Sequence, residues 1–130
     1  MIKNCFLDDQ PDFYKVVELD GEKIATIHAL TRNDFAAIEK AAYRRRVING
    51  EFEIDINEQA LLVTRMYRSL TGEKEAGWEL GDKDGKVRDI TEKNISLLVK
   101  GKGKKVFFAI NDAIDELLKQ NTITEGISKN

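Results

Sequence analysis

Asp20-Gly21 is the pair that most restricts what this chain can fold into. It lies within residues 12–30, DFYKVVELDGEKIATIHAL, between segments rich in Val, Ile, Tyr, Phe and Thr. Asp-Gly accepts the positive φ values of a type I′ turn, and the twist of that turn matches two paired strands. The segment predicts a β-hairpin. A two-stranded hairpin is marginal in water by itself, so another part of the chain must cover one of its faces.

The rest of the chain offers helices for that purpose. Leu30-Thr31 has the grammar of a helix start, with Thr31 as the cap, Asp34 three residues on, and Leu30 placed to staple against Phe35. Phe35, Ile38, Ala42 and Val47 give an approximately helical stripe. Arg44, Arg45 and Arg46 suit the last turns, and Asn49-Gly50 suits the stop. The expected helix covers residues 32–48. A second covers 56–71, capped by Asp55 with Glu58 or by Asn57 alone. It carries Leu62, Val63, Met66, Tyr67 and Leu70 at helical spacing and ends before Gly72.

Residues 72–89 hold four glycines and no helical period, which predicts a loop. A short ribbon could pair Trp78-Glu79-Leu80 with Lys86-Val87-Arg88 across Asp84-Gly85. Thr91 caps a short helix over 91–99, with Ile90 placed to staple against Ile95. After a lysine-glycine joint, Val106, Phe107, Ile110, Ala113, Ile114, Leu117 and Leu118 form a broad apolar face over 104–120. The expected class is α+β, mostly α-helical with about four helices and an N-terminal β-hairpin. One domain spans 12–120, between a flexible N-terminus (1–11) and a flexible tail (121–130).

Composition narrows the partners. The chain has 130 residues, one domain's worth, and 42% are hydrophobic, enough for a core. Charged residues reach 34%, yet the net charge is only −2, which argues against a chain-wide pull towards nucleic acid or anionic membrane. A single cysteine, Cys5, fits a reducing compartment. The opening MIKNCFLDDQPD does not read as a signal peptide, and no apolar run reaches the ~20 residues of a membrane span.

Each chemical signal fails a specific test. A phosphate loop around Gly103-Lys104 would need a glycine at Leu98 and a hydroxyl at Lys105. Lys100–Lys105 lacks interleaved aromatics for base stacking. Arg44–Arg46 on a helix would point about 100° apart and could not form one clamp. An EF-hand built on Asp82–Gly85 would need ligands where Leu80 and Thr91 stand. His28 is the only histidine and has no nearby cysteine, which makes zinc improbable. The reading is a protein that is not an enzyme, with no cofactor and no metal.

The order of elements resembles a known family. A polar N-terminal hairpin leads into Leu30-Thr31 and a helix. A second helix carries Leu61-Leu62 and ends at Leu70-Thr71-Gly72. Gly77-Trp78-Glu79 follows, then Val87-Arg88-Asp89-Ile90-Thr91-Glu92-Lys93-Asn94-Ile95, then a last amphipathic helix. From Asp12 to Gln120 this is similar to the tail assembly chaperones of long-tailed bacteriophages. The resemblance implies a protein that binds the tape measure protein and keeps it soluble during tail-tube assembly. It implies residence in the host cytoplasm, absence from the mature virion, self-association into a homo-oligomer, and sometimes a frameshifted longer form.

Phe107, Phe108, Ile110, Ile114 and Leu117, on the widest apolar stripe, suit a core more readily than a partner surface, but the stripe is wide for so small a domain, and they are the residues favoured for self-association or client binding. Two alternatives stand beside this reading. One is a small nucleic-acid-binding module using the basic clusters. The other is a structural tail-completion protein retained in the virion.

Overall fold

The computed structural model describes residues 13–128, with side chains described to residue 120. The expected N-terminal segment 1–11, with Cys5 and Pro11, lies outside the described residues. In chain order the elements are β1 (Tyr14–Leu19), β2 (Glu22–His28), α1 (Arg32–Ala42), β3 (Tyr43–Ile48), β4 (Glu51–Ile56), α2 (Glu58–Leu70), β5 (Gly77–Trp78), α3 (Glu92–Lys100) and α4 (Lys104–Ser128). The class is α+β, with four helices among the described residues and an N-terminal antiparallel hairpin.

Asp20 and Gly21 adopt φ of 53° and 80°, as a type I′ turn requires. β1 and β2 pair from Tyr14↔His28 to Leu19↔Glu22, with a bulge between Val17 and Glu18. β5 adds to the other side of β2 through Ala25↔Trp78 and Thr26↔Gly77, giving the order β1-β2-β5. β2 is therefore central, and it is buried from Ile24 to His28.

The cover comes from α2 and α4, which both contact β2. Their inward faces supply Val63, Met66 and Leu70 from α2, and Phe107, Ile110, Ala113, Ile114 and Leu117 from α4. Ile95 of α3 and Trp78 of β5 complete the core. The Trp78 indole N–H donates to the Arg88 carbonyl at 2.7 Å, so the ring is buried with its polar atom satisfied. Lys15 of β1 pairs with Glu116 of α4 at 2.8 Å on the rim.

The expected caps form. Thr31 and Asp34 make a reciprocal capping box on α1, and Thr91 accepts from the Asn94 amide on α3. On α2 the cap is Asn57, which accepts from the Ala60 amide at 3.1 Å. Asp55, the other candidate, belongs to β4.

The helix expected over 32–48 is corrected: α1 stops at Ala42, and Tyr43–Ile48 is a strand. The apolar stripe had already slipped there, because Ala42 to Val47 is a step of five rather than three or four. Asn49 and Gly50 have φ of 53° and 80°, repeating Asp20-Gly21, so they turn a second hairpin instead of stopping a helix. The expected tail is also corrected in part, since α4 continues to Ser128. The expected ribbon after Trp78 is reduced to a bridge between Gly81 and Val87, flanked by bonds linking Arg88 to Leu80 and Asp82 to Lys86.

The lysine-glycine joint has a packing explanation. A Cβ on Gly103 would lie 2.6 Å from Leu98 Cδ2 and 3.3 Å from Leu98 Cα. The close approach lets α4 fold back beside α3, while Lys100, Lys102, Lys104 and Lys105 stay exposed. Leu98 packs against the core and cannot swing away freely. Gly103→Ala is expected to cost about 1–3 kcal/mol of stability, measured by urea or thermal unfolding. Gly50→Ala tests a separate site, where positive φ rather than crowding is the constraint.

Candidate functional site

β3 and β4 form a sheet of their own. Their register runs from Tyr43↔Ile56 through Arg45↔Ile54 and Val47↔Phe52 to Ile48↔Glu51. Alternation along each strand separates two faces. One face carries Tyr43, Arg45, Val47, Phe52, Ile54 and Ile56. The other carries Arg44, Arg46, Ile48, Glu51, Glu53 and Asp55.

The first face is apolar except for Arg45, and it is uncovered. Phe52 is 80% exposed, Val47 64%, Ile54 60% and Ile56 51%. Single exposed apolar residues are ordinary on a protein surface, but a contiguous set on one side of a ribbon marks an interaction site. The second face is ionic. Arg44 lies across from Asp55 and Arg46 across from Glu53, and Arg46 also forms an ion pair with Asp55 on the diagonal.

The root of the ribbon is fixed to the body. The Asn57 amide donates to the Ala42 carbonyl at 2.8 Å, closing the hairpin where α1 ends and α2 begins. Farther down the same helix pair, Arg68 Nε donates to Asp34 Oδ1 at 2.8 Å. Asp34 Oδ2 accepts from the Thr31 amide at 2.8 Å and from its hydroxyl at 3.0 Å. Burial pushes the Asp34 carboxyl upward, but the Thr31 amide, the Arg68 guanidinium and the Thr31 hydroxyl outweigh it and hold the pKa below its ordinary value. The hairpin thus projects from two helices that are locked together.

The stripe residues singled out in the sequence divide between core and surface. Phe107, Ile110, Ile114 and Leu117 are at most 3% exposed and belong to the core of this chain. Phe108 is 57% exposed on the outer side of α4, its ring edge-on to Phe107. The widest apolar stripe was wide because it covers a sheet and two helices at once. The ribbon face is hidden in the sequence because Arg44–Arg46 are good helix formers directly after α1. Its signal is Asn49-Gly50 between the alternating segments YRRRVI and EFEIDI, the pattern that defines a hairpin.

Other chemical candidates are occupied by structure. The His28 ring is buried, with Nδ1 2.8 Å from the Ala29 carbonyl and Nε2 2.7 Å from the Thr71 carbonyl. Asp82 Oδ1 accepts from the amides of Asp84 and Lys86, so this carboxylate shapes the turn. A groove of about 530 Å³ lies between the 80–84 loop and α3, and Trp78, Leu80, Asp82, Arg88, Leu97 and Leu98 are among its lining residues. No helix among the described residues is long and apolar enough to cross a membrane. Comparison with protein-family models, curated proteins and solved structures finds no match.

The Asp34 clamp gives a pH test. Its folded pKa lies below the unfolded one, so its stabilisation is complete above the ordinary carboxylate value. It is lost as pH falls through the lowered folded value. Asp34→Asn is expected to be less stable at neutral pH and to lose less stability on acidification than wild type, in unfolding titrations across the acid limb. Arg68→Ala is expected to cost about 1–2 kcal/mol, less than for a fully buried pair because the guanidinium is partly exposed.

Proposed function

We propose that this protein is a phage tail assembly chaperone that binds a tape measure protein and keeps it soluble during tail-tube assembly. In this reading it acts in the host cytoplasm, performs no catalysis and is absent from the finished particle. The observation that supports the reading best is the uncovered apolar face of β3–β4, held away from the core on a ribbon whose other face is ionic.

The chemistry suits a long helical client with an apolar stripe. Such a stripe would pack on Val47, Phe52, Ile54 and Ile56, and the charged face would keep the complex in water. Full burial of an aliphatic or aromatic side chain contributes roughly 1.5–3 kcal/mol. Association itself costs about 4–15 kcal/mol. The four side chains together only about match that cost, so one ribbon binds weakly. A client with many apolar segments is then held by many copies and released when assembly competes for them.

The nucleic-acid reading has less support. Arg44 and Arg46 face carboxylates of the adjacent strand, which neutralises that cluster locally. The test is co-expression with a tape measure protein from the same genome. Wild type is expected to recover the client in the soluble fraction as a complex. Phe52→Asp combined with Ile54→Asp is expected to lose that recovery while unfolding within about 0.5 kcal/mol of wild type, as surface substitutions do. No complex with wild type would overturn the proposal. Recovery of the chain in purified particles by mass spectrometry would instead identify a retained tail-completion protein.

A further inference from the structure

The two strands of the ribbon differ in charge. β3 carries Arg44, Arg45 and Arg46, and β4 carries Glu51, Glu53 and Asp55. Both outer edges lack a strand partner among the described residues. The bond from the Asn57 amide to the Ala42 carbonyl fixes the phase of the ladder. Hydrogen-bonded and non-hydrogen-bonded pairs alternate from there. Tyr43, Arg45 and Val47 therefore direct their backbone groups out from the β3 edge. Phe52, Ile54 and Ile56 direct theirs out from the β4 edge.

We infer that the β3 edge of one copy pairs antiparallel with the β4 edge of a second copy. Charged edge strands ordinarily resist strand addition. Here the resistance is selective. Pairing β3 with β3 sets arginine rows opposite each other, and pairing β4 with β4 does the same with carboxylates, both of which are destabilising. Pairing β3 with β4 sets Arg44 and Arg46 opposite carboxylates at a cross-strand distance of about 5 Å. The outward backbone groups belong to residues of the apolar face, so the same pairing continues that face from copy to copy.

The contact is heterologous, because the two surfaces differ, and it generates a ring or a filament rather than a closed pair. Strand twist makes room for the bodies. Neighbouring strands differ by roughly 20–25°, so two strands per copy rotate successive bodies by about 40–50° around the axis that runs from strand to strand. The inference concerns the ribbon edges and holds whether or not the apolar face takes a tape measure protein.

Sedimentation velocity of the purified chain, with no client present, tests it. Wild type is expected to assemble beyond a dimer as concentration rises and to dissociate as salt screens the edges. Val47→Pro removes an outward N–H without removing a bond inside the hairpin, and is expected to leave only monomer. Arg44→Glu with Arg46→Glu is expected to do the same. Exchanging charge on both strands, by adding Glu53→Lys and Asp55→Lys, is expected to restore assembly, which an unfolded hairpin would not do. A wild type that stays monomeric at every concentration would overturn the inference. So would a Val47→Pro protein that assembles like wild type, or a dimer indifferent to the charge reversal.

Discussion

A paired strand needs cover, and the described residues build two hairpins with cover for one. Asp20-Gly21 and Asn49-Gly50 turn the chain with the same backbone angles. The first hairpin gains β5 as a third strand and buries β2 beneath α2 and α4. That burial consumes the inward faces of both helices, from Met66 and Leu70 to Ile110 and Ile114. Among the described residues, no comparable apolar surface covers β3 and β4. The exposure of Phe52 and Ile54 follows from how the core is filled.

Rigidity at the root makes that exposure usable. A free two-stranded ribbon would be marginal in water. This one is bounded on both sides by helices that pack together. The bond between Asn57 and Ala42, and the Arg68–Asp34–Thr31 network below it, hold the two helices in one arrangement. The ribbon reaches a partner already formed, so less ordering entropy opposes binding. Its ionic face offsets the apolar one in water and gives its two edges opposite charge.

The sequence made the first hairpin legible because Asp20-Gly21 lies between two strand-forming segments with nothing helical nearby. The caps at Thr31 and Thr91 were legible for a similar reason: a hydroxyl stands at the correct offset before each apolar stripe. The second hairpin is masked in the sequence, because α1 enters it without a break. Ala42 passes directly into Tyr43, with no glycine or proline between them. Arginine is a good helix former, so Arg44–Arg46 continue the helical pattern up to Asn49-Gly50, a pair that suits a helix stop as well as a hairpin turn. The apolar face of α4 was legible, but its role was not. A stripe that fills a core and a stripe that binds a partner have the same spacing, and only the sheet against Phe107 and Ile110 separates them.

Amide hydrogen exchange over residues 43–56 tests the central claim most directly, namely that this ribbon is uncovered in one copy and covered by another chain. In dilute protein without client, the outward amides of Tyr43, Arg45, Val47, Phe52, Ile54 and Ile56 are expected to exchange rapidly while the amides of β2 remain protected. On addition of the client or on raising the concentration, exchange across the ribbon is expected to slow and exchange in β2 to stay unchanged. A ribbon already protected in dilute protein, or one whose exchange ignores both changes, would contradict the account.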